Sequence, residues 1–107
     1  MTQKDDRAAS IIKKRVTIFL NQIREPGALI TVTDIETFDK EKNVDVLITV
    51  FPEDKETEIL KRLRGERGAL RKYVKDREKL FNIPVFDFKI DQGEKNRQHI
   101  ETLSGNI

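Results

Sequence analysis

Three short stretches of the sequence alternate apolar and polar side chains as β-strands do, and this small number limits the fold more than any other feature. They span residues 29–38, 44–51 and 85–91. In the second stretch every other residue from Val44 to Val50 is apolar, which gives that strand one apolar face. Three short strands cannot close a barrel, so helices must cover one face of the sheet. The sequence therefore predicts an α+β fold built as a two-layer sandwich.

Helical spacing of apolar residues predicts three helices around these strands. The first covers residues 5–24 and ends before Pro26, because proline disfavours helical backbone in the residue before it. The second starts at residues 52–54, where proline and acids suit a first turn, and the third runs from about 68 to 80. The predicted order is α-β-β-α-α-β, with an antiparallel hairpin first and a right-handed crossover before the last strand.

The first strand contains an irregularity. Ile30 and Val32 share one face, but Ile35 does not continue their alternation. One extra residue near Asp34 would restore the register, so we expect a β-bulge there.

The length and composition of the chain fit one compact domain. Its 107 residues leave no room for a second domain, and we expect a core over residues 5–91 followed by a polar tail over 92–107 with a short helical turn around Ile100–Leu103. The absence of cysteine excludes a disulfide framework and a thiolate metal site. No stretch approaches the ~18 apolar residues of a membrane span, and no apolar signal segment opens the chain, so we expect a cytoplasmic protein.

Positive charge is concentrated near the middle of the chain. Residues 61–75 contain seven basic residues and one acid, a net +6 on a chain whose total is +2, so the remainder is acidic. Two glycines, Gly65 and Gly68, interrupt this segment between the last two predicted helices. Glycines let a nucleic-acid backbone approach closely, and the helix that follows presents free N–H groups to a phosphate. The candidate RNA-binding residues are therefore Arg62, Arg64, Gly65, Arg67, Gly68, Arg71, Lys72 and Lys75.

The element order, with Gly-Glu-Arg-Gly at residues 65–68, resembles a type II K-homology (KH) domain, whose signature is Gly-x-x-Gly between two helices. Further matches extend over nearly the whole chain and resemble the bacterial ribosome-binding factor A family. They are "IREPG" at 23–27, "ITVTDIE" at 30–36, "VLITVF" at 46–51 and "PVFDFKID" at 84–91.

This resemblance implies a monomeric, non-enzymatic assembly factor without a cofactor. Such a factor would bind the small (30S) ribosomal subunit, contact 16S rRNA during its late maturation and matter most in the cold. The sequence departs from the family at three places that concern binding. Glu66-Arg67-Gly68, preceded by Gly65, replaces the usual Ala-x-Gly break, Phe81 stands where the family often has arginine, and "VKD" at 74–76 replaces a Leu-Gly-Lys stretch.

Two other functional classes remain open on the residues alone. Residues 63–74 could form the turn and recognition helix of a helix-turn-helix DNA-binding domain. The charged helices could instead bind an acidic protein partner, or simply form a solvated surface. Tyr73 could stack on a base or pack in the core, and its apolar neighbours favour the core. An enzyme is not expected, because His99 is the only histidine and has no evident second ligand or nucleophile beside it.

Overall fold

A computed structural model describes residues 3–23, 25–40, 42–80 and 82–105. Its elements are α1 (Gln3–Asn21), β1 (Leu29–Phe38), β2 (Asn43–Phe51), a 3₁₀ turn (Glu53–Lys55), α2 (Glu56–Gly65), α3 (Arg67–Arg77), β3 (Val85–Ile90) and α4 (Gln92–Gly105). The predicted α+β class and the order of the first six main elements are confirmed.

The three strands form one mixed sheet with β2 in the centre. β1 pairs with β2 antiparallel, as the hairpin prediction requires, and β3 pairs with β2 in parallel after the α2–α3 crossover. The register of β1 shifts by one residue between Val32 and Asp34, which leaves Thr33 as the extra residue. The predicted bulge is therefore confirmed.

The core lies between the helices and one face of the sheet. Val44, Val46, Ile48 and Val50 of β2 all point into it, as their alternation predicts. On the helical side of the core, Ile12 of α1 is buried. The other buried hydrophobic residues described are Val16, Leu20, Ile35, Ile59, Leu63, Leu70, Val74, Phe86 and Phe88. Burying each such side chain contributes about 1.5–3 kcal/mol, so this face holds the two layers together.

The helix ends differ from the prediction by a few residues. α1 ends at Asn21, and residue 24, the predicted end, lies outside the described residues. α3 ends at Arg77 instead of residue 80, because Glu78 has extended backbone (φ −128°, ψ 142°). The Glu78 carboxylate then accepts a hydrogen bond from Arg15 of α1. The chain therefore leaves α3 one turn early and is fixed against α1.

The C-terminal segment is the main correction to the predicted fold. Where a polar tail with a short turn is expected, residues 92–105 form a helix of 14 residues. Asp91 caps its start, because Asp91 Oδ1 accepts a hydrogen bond from the Glu94 N–H at 3.0 Å and Oδ2 accepts one from the Thr33 hydroxyl at 2.6 Å. Lys95 adds an ion pair to Glu56 of α2 at 3.0 Å. Capping and ion pairs hold α4, so apolar periodicity gives little sign of it.

Candidate nucleic-acid interface

The basic segment lies on the exposed side of the α2–α3 pair. A single residue, Glu66, separates the two helices. Leu63 on one side of this break and Leu70 and Val74 on the other are fully buried against the sheet. Packing thus fixes one face of each helix inward, and all the candidate RNA-binding residues are exposed on the other faces.

The two glycines of the break are not required by the backbone. Gly65 and Gly68 both have φ values that other residues adopt, whereas Gly27 in the turn after α1 has φ +82°. A Cβ atom added to Gly65 or Gly68 would meet no atom within 4 Å. The missing side chains therefore leave the main chain open to an approaching ligand, which is the role that the sequence predicts for them.

All four candidate arginines form contacts within the protein, and two of them connect separate elements. The Arg62 guanidinium forms an ion pair with Glu25 and so connects α2 to the turn after α1. Arg64 reaches the free edge of β3, where Nε donates to Asp87 Oδ1 at 3.1 Å and Nη2 donates to the Phe88 carbonyl at 3.0 Å. These contacts give Arg62 and Arg64 a structural role in addition to their positive charge.

Asp87 is the shared partner of two arginines. Arg67 Nη1 lies 4.0 Å from Asp87 Oδ1, and Arg67 Nε donates to the Arg64 carbonyl at 3.0 Å. Partial burial is the largest influence and raises the pKa of Asp87, but hydrogen bonds from the Phe88 N–H and Arg64 outweigh it and leave this pKa below its ordinary value. Asp87 is therefore ionised and offsets part of the charge of both arginines.

The remaining three basic candidates line one groove. It has a volume of about 490 Å³ and lies between α3 and the segment leading into β3. Arg71 Nη2 donates to the Ile83 carbonyl at 3.2 Å and closes one side. Over the described part of the chain, Lys72 and Lys75 have neither an ion-pair partner nor a hydrogen-bond acceptor. Gly68 opens onto the same groove, as do Asp76 and Asn82.

The α3 N-terminus adds a second feature that suits an anion. The first N–H groups of a helix have no acceptor inside the helix. No side chain caps α3, since Glu66 at the N-cap makes no capping hydrogen bond. The start of α3 and the lysines one and two turns later therefore present positive potential on one side of the helix.

Tyr73 belongs to the packing and not to this groove. Its ring meets Phe19 of α1 edge to face at a centroid distance of 5.4 Å, and the Arg77 guanidinium lies 3.8 Å from the ring centroid. The ring is half-buried between these groups. The core interpretation of Tyr73 is confirmed, and the Arg77 guanidinium covers one face of its ring.

Other kinds of site receive little support in the described residues. No group of three or more potential metal ligands is found among them. His99 forms a hydrogen bond with the Glu53 carboxylate and lies on α4, far along the chain from the basic groove. No helix among the described residues is both long and apolar enough to cross a membrane.

Sequence reasoning missed the partners of the basic residues. Asp87 occupies an outward position in the alternation of β3, which marks it as exposed, but nothing local shows that it meets arginines of α2 and α3. Asn82 and Ile83 lie in a connecting segment without periodicity, so their place beside Arg71 depends on the crossover. Phe81, which replaces a frequent family arginine, lies outside the described residues.

The fold and this surface define a two-layer α+β protein with a basic, glycine-containing helix pair. Comparison with known proteins then gives its family. Residues 4–104 match the family model described as Ribosome-binding factor A. Because that match covers almost the whole chain, the protein belongs to the ribosome-binding factor A family.

Individual relatives agree with this assignment. The chain is 31% identical over 100 residues to a ribosome-binding factor A of Clostridium botulinum, covering 90% of this chain and 83% of the relative. It is 32% identical over 101 residues to that of Clostridium perfringens, covering 90% and 87%. The crystal structure of ribosome-binding factor A from Thermus thermophilus has the same fold, with a TM-score of 0.69 at 16% identity over 79% of this chain and 92% of that one.

Proposed function

We propose that this protein is a cytoplasmic, monomeric, non-enzymatic factor that binds 16S rRNA on the 30S subunit and assists late maturation of that subunit. Family membership supports a role at the ribosome. The observation that supports rRNA contact most directly is the basic groove, where Lys72 and Lys75, without a partner among the described residues, stand beside the bare backbone of Gly68. The type II KH-like interpretation of the helix pair forms part of this proposal.

Binding through this groove would be dominated by phosphates. Lysine ammonium groups act as point charges with three donors each, so they attract phosphate oxygens without selecting a base. The open backbone at Gly68 and the start of α3 would admit a phosphate close to the main chain. Arg64 and Arg67 would contribute at the rim while remaining bound to Asp87. The surface would therefore recognise the shape of folded rRNA more than its sequence.

The double variant K72Q/K75Q tests this proposal. Each phosphate contact contributes roughly 0.7–0.9 to the slope of log K against log salt, so losing two lysines should lower that slope by about 1.5 and weaken binding. The affinity for purified 30S subunits is measured at several salt concentrations by co-sedimentation. The matched control is K14Q/K61Q, which removes the same charge at exposed positions outside the groove. Equal loss in both variants would show that only net charge matters.

A helix-turn-helix function is not favoured by the geometry. In that motif a turn of about three to four residues joins the two helices, whereas only Glu66 separates α2 from α3. Both helices are also packed on a sheet, which such a domain does not need. An acidic protein partner in place of rRNA would be recognised by ribosome-independent binding that survives ribonuclease.

A further inference from the structure

The sheet face turned away from the core, here called the outer face, carries most of the exposed apolar side chains. It consists of the strand residues that alternate with the buried ones. Five large hydrophobic side chains are exposed among the described residues, and four lie on this face: Leu29, Phe38, Phe51 and Val85. Phe51 is 72% exposed and Leu29 is 65% exposed. Single exposed apolar residues are ordinary, but their concentration on one face indicates an interaction surface.

The register places these four residues at the two ends of the face. Leu29 and Phe51 are direct partners across β1 and β2. Phe38 and Val85 both pair with Asn43, so they lie in one row across the sheet. Asn43 and Phe51 are eight residues apart on β2, which corresponds to about 26 Å. An occupant that contacts both apolar ends must therefore be about as long as an extended segment of eight or nine residues.

Between the apolar ends the outer face is acidic along β1. Asp34 and Glu36 are exposed, and neither has an ion-pair partner among the residues that the structure describes. In contrast, Asp45 pairs with Lys89 at 2.8 Å, and Asp87 is held by Arg64 at 3.1 Å. The acids of the outer face still outnumber Lys89, which also acts electrostatically on Glu36, and they repel phosphate backbones, anionic lipid and a second copy of the same face. They attract a cationic partner.

We propose that the outer face docks a lysine- or arginine-rich segment of a protein, with apolar side chains near both of its ends. The basic residues would lie along Asp34 and Glu36, and the apolar ends would contact the Leu29–Phe51 and Phe38–Val85 pairs. The helices that carry the basic groove cover the opposite face of the sheet. The two surfaces can therefore be occupied together, and this docking site does not depend on the proposed rRNA contact.

The test uses the full chain labelled with ¹⁵N and a defined probe peptide, Leu-Ser-Lys-Ser-Lys-Ser-Lys-Ser-Leu, whose leucines and lysines share one face when the peptide is extended. A second peptide with glutamate in place of lysine serves as the charge control. We expect the lysine peptide to shift amide resonances of β1 and the outward residues of β2 and β3, and the glutamate peptide to leave them unchanged. Equal binding of both peptides, shifts centred on α2 and α3, or no binding at millimolar peptide would overturn the proposal.

Paired variants assign the effect to the outer face. D34N/E36Q removes the two carboxylates of this face that have no ion-pair partner among the described residues, and D54N/E58Q removes two exposed carboxylates elsewhere. We expect the first to weaken peptide binding about three- to tenfold, since each exposed ion pair contributes modestly, and the second to leave it unchanged. Equal weakening by both variants would contradict docking at this face. The alternative occupant, a second copy of this chain, is tested by sedimentation equilibrium of the free protein. If the parent chain forms dimers and F51S does not, the outer face binds a second copy instead of a basic segment.

Discussion

At Gly68 the requirements of folding and of RNA binding can be separated. The residue is helical and exposed, and an added methyl group would meet no atom of the protein. Alanine in place of glycine within a helix stabilises it by about 0.5–1 kcal/mol. Conversely, the same methyl group would stand between the main chain and an approaching phosphate.

We therefore predict that G68A raises the free energy of unfolding and weakens 30S binding. Chemical denaturation and co-sedimentation measure the two effects on the same sample. G27A provides the contrasting control, because φ +82° at Gly27 makes alanine strained there and should destabilise the fold. Lower stability of G68A would contradict the expected gain in helix stability, and unchanged affinity would show that this glycine does not serve ligand approach.

The sequence identifies the individual binding candidates by their charge, but it does not show which of them are paired within the fold. Lys72 and Lys75 were identifiable because they are separated from the apolar residues at helical spacing. The ion pairs of Arg62 with Glu25 and of Arg64 with Asp87 could not be foreseen, since their partners are distant along the chain. Pairing depends on tertiary structure, so the sequence cannot distinguish free cations from engaged ones.

A second pair of residues tests the assignment of core and surface. Phe88 is fully buried and Phe51 is 72% exposed. We predict that F88A costs about 3–5 kcal/mol, through lost burial and the cavity that remains, while F51A changes stability by less than about 0.5 kcal/mol. Thermal and urea denaturation measure both. Comparable losses in the two variants would contradict the two-layer arrangement.

Among the elements, α4 is fixed differently from the rest. Up to Ile100, where side chains are described, it adds no residue to the buried core. Its polar contacts include the Asp91 cap, the Lys95 ion pairs with Glu53 and Glu56, and the hydrogen bond between His99 and Glu53. Elements with few buried apolar contacts open locally at low free-energy cost. Hydrogen exchange should therefore be faster in α4 than in β2.

Removing the cap should loosen α4 more than the sheet. We predict that D91A costs about 1 kcal/mol, the usual value of an N-cap, and accelerates hydrogen exchange in α4 while leaving that of β2 nearly unchanged. D54A is the control at an exposed acid outside this cap. If β2 exchange accelerated as much as α4 exchange in D91A, the helix would be an integral part of the cooperative core.

The same cap gives α4 a pH dependence. The hydrogen bond from the Thr33 hydroxyl, followed by that from the Glu94 N–H, lowers the pKa of Asp91. A carboxyl group whose pKa is lower in the folded state stabilises the fold at pH values above its unfolded pKa of about 3.9. This stabilisation is lost as the pH falls through the lower, folded-state pKa. Helical signal from α4 should decline in that acidic range. The decline should be absent in D91N, which does not titrate at this position.

The elements were predictable where apolar periodicity is strong. The strands, the bulge near Asp34 and the α2–α3 pair follow from alternation and helical spacing. The long C-terminal helix was missed because its stability comes from a cap and ion pairs instead of an apolar stripe. The pattern Asp91-Gln92-Gly93-Glu94, an acceptor residue followed three positions later by glutamate, is the local signal that could have predicted its start.

At the scale of the whole molecule, charge separates the two layers. The helical layer carries the basic groove, while the outer face of the sheet carries the exposed acids Asp34 and Glu36 between apolar ends. The sequence showed the basic stripe directly, but the acidic face appears only once the strand register is known. Under the two proposals this polarity would orient the protein, with its helices toward rRNA and its sheet toward a basic protein segment.

The central claim, binding to the small subunit through rRNA, is tested most directly by sucrose-gradient sedimentation of cell lysate. The protein is followed across the free, 30S, 50S and 70S fractions at low and moderate salt, with and without K72Q/K75Q. We predict enrichment of the parent chain on free 30S subunits, loss of that enrichment as salt rises, and weaker association of the variant at low salt. A protein that stays at the top of the gradient at both salt concentrations would contradict the account.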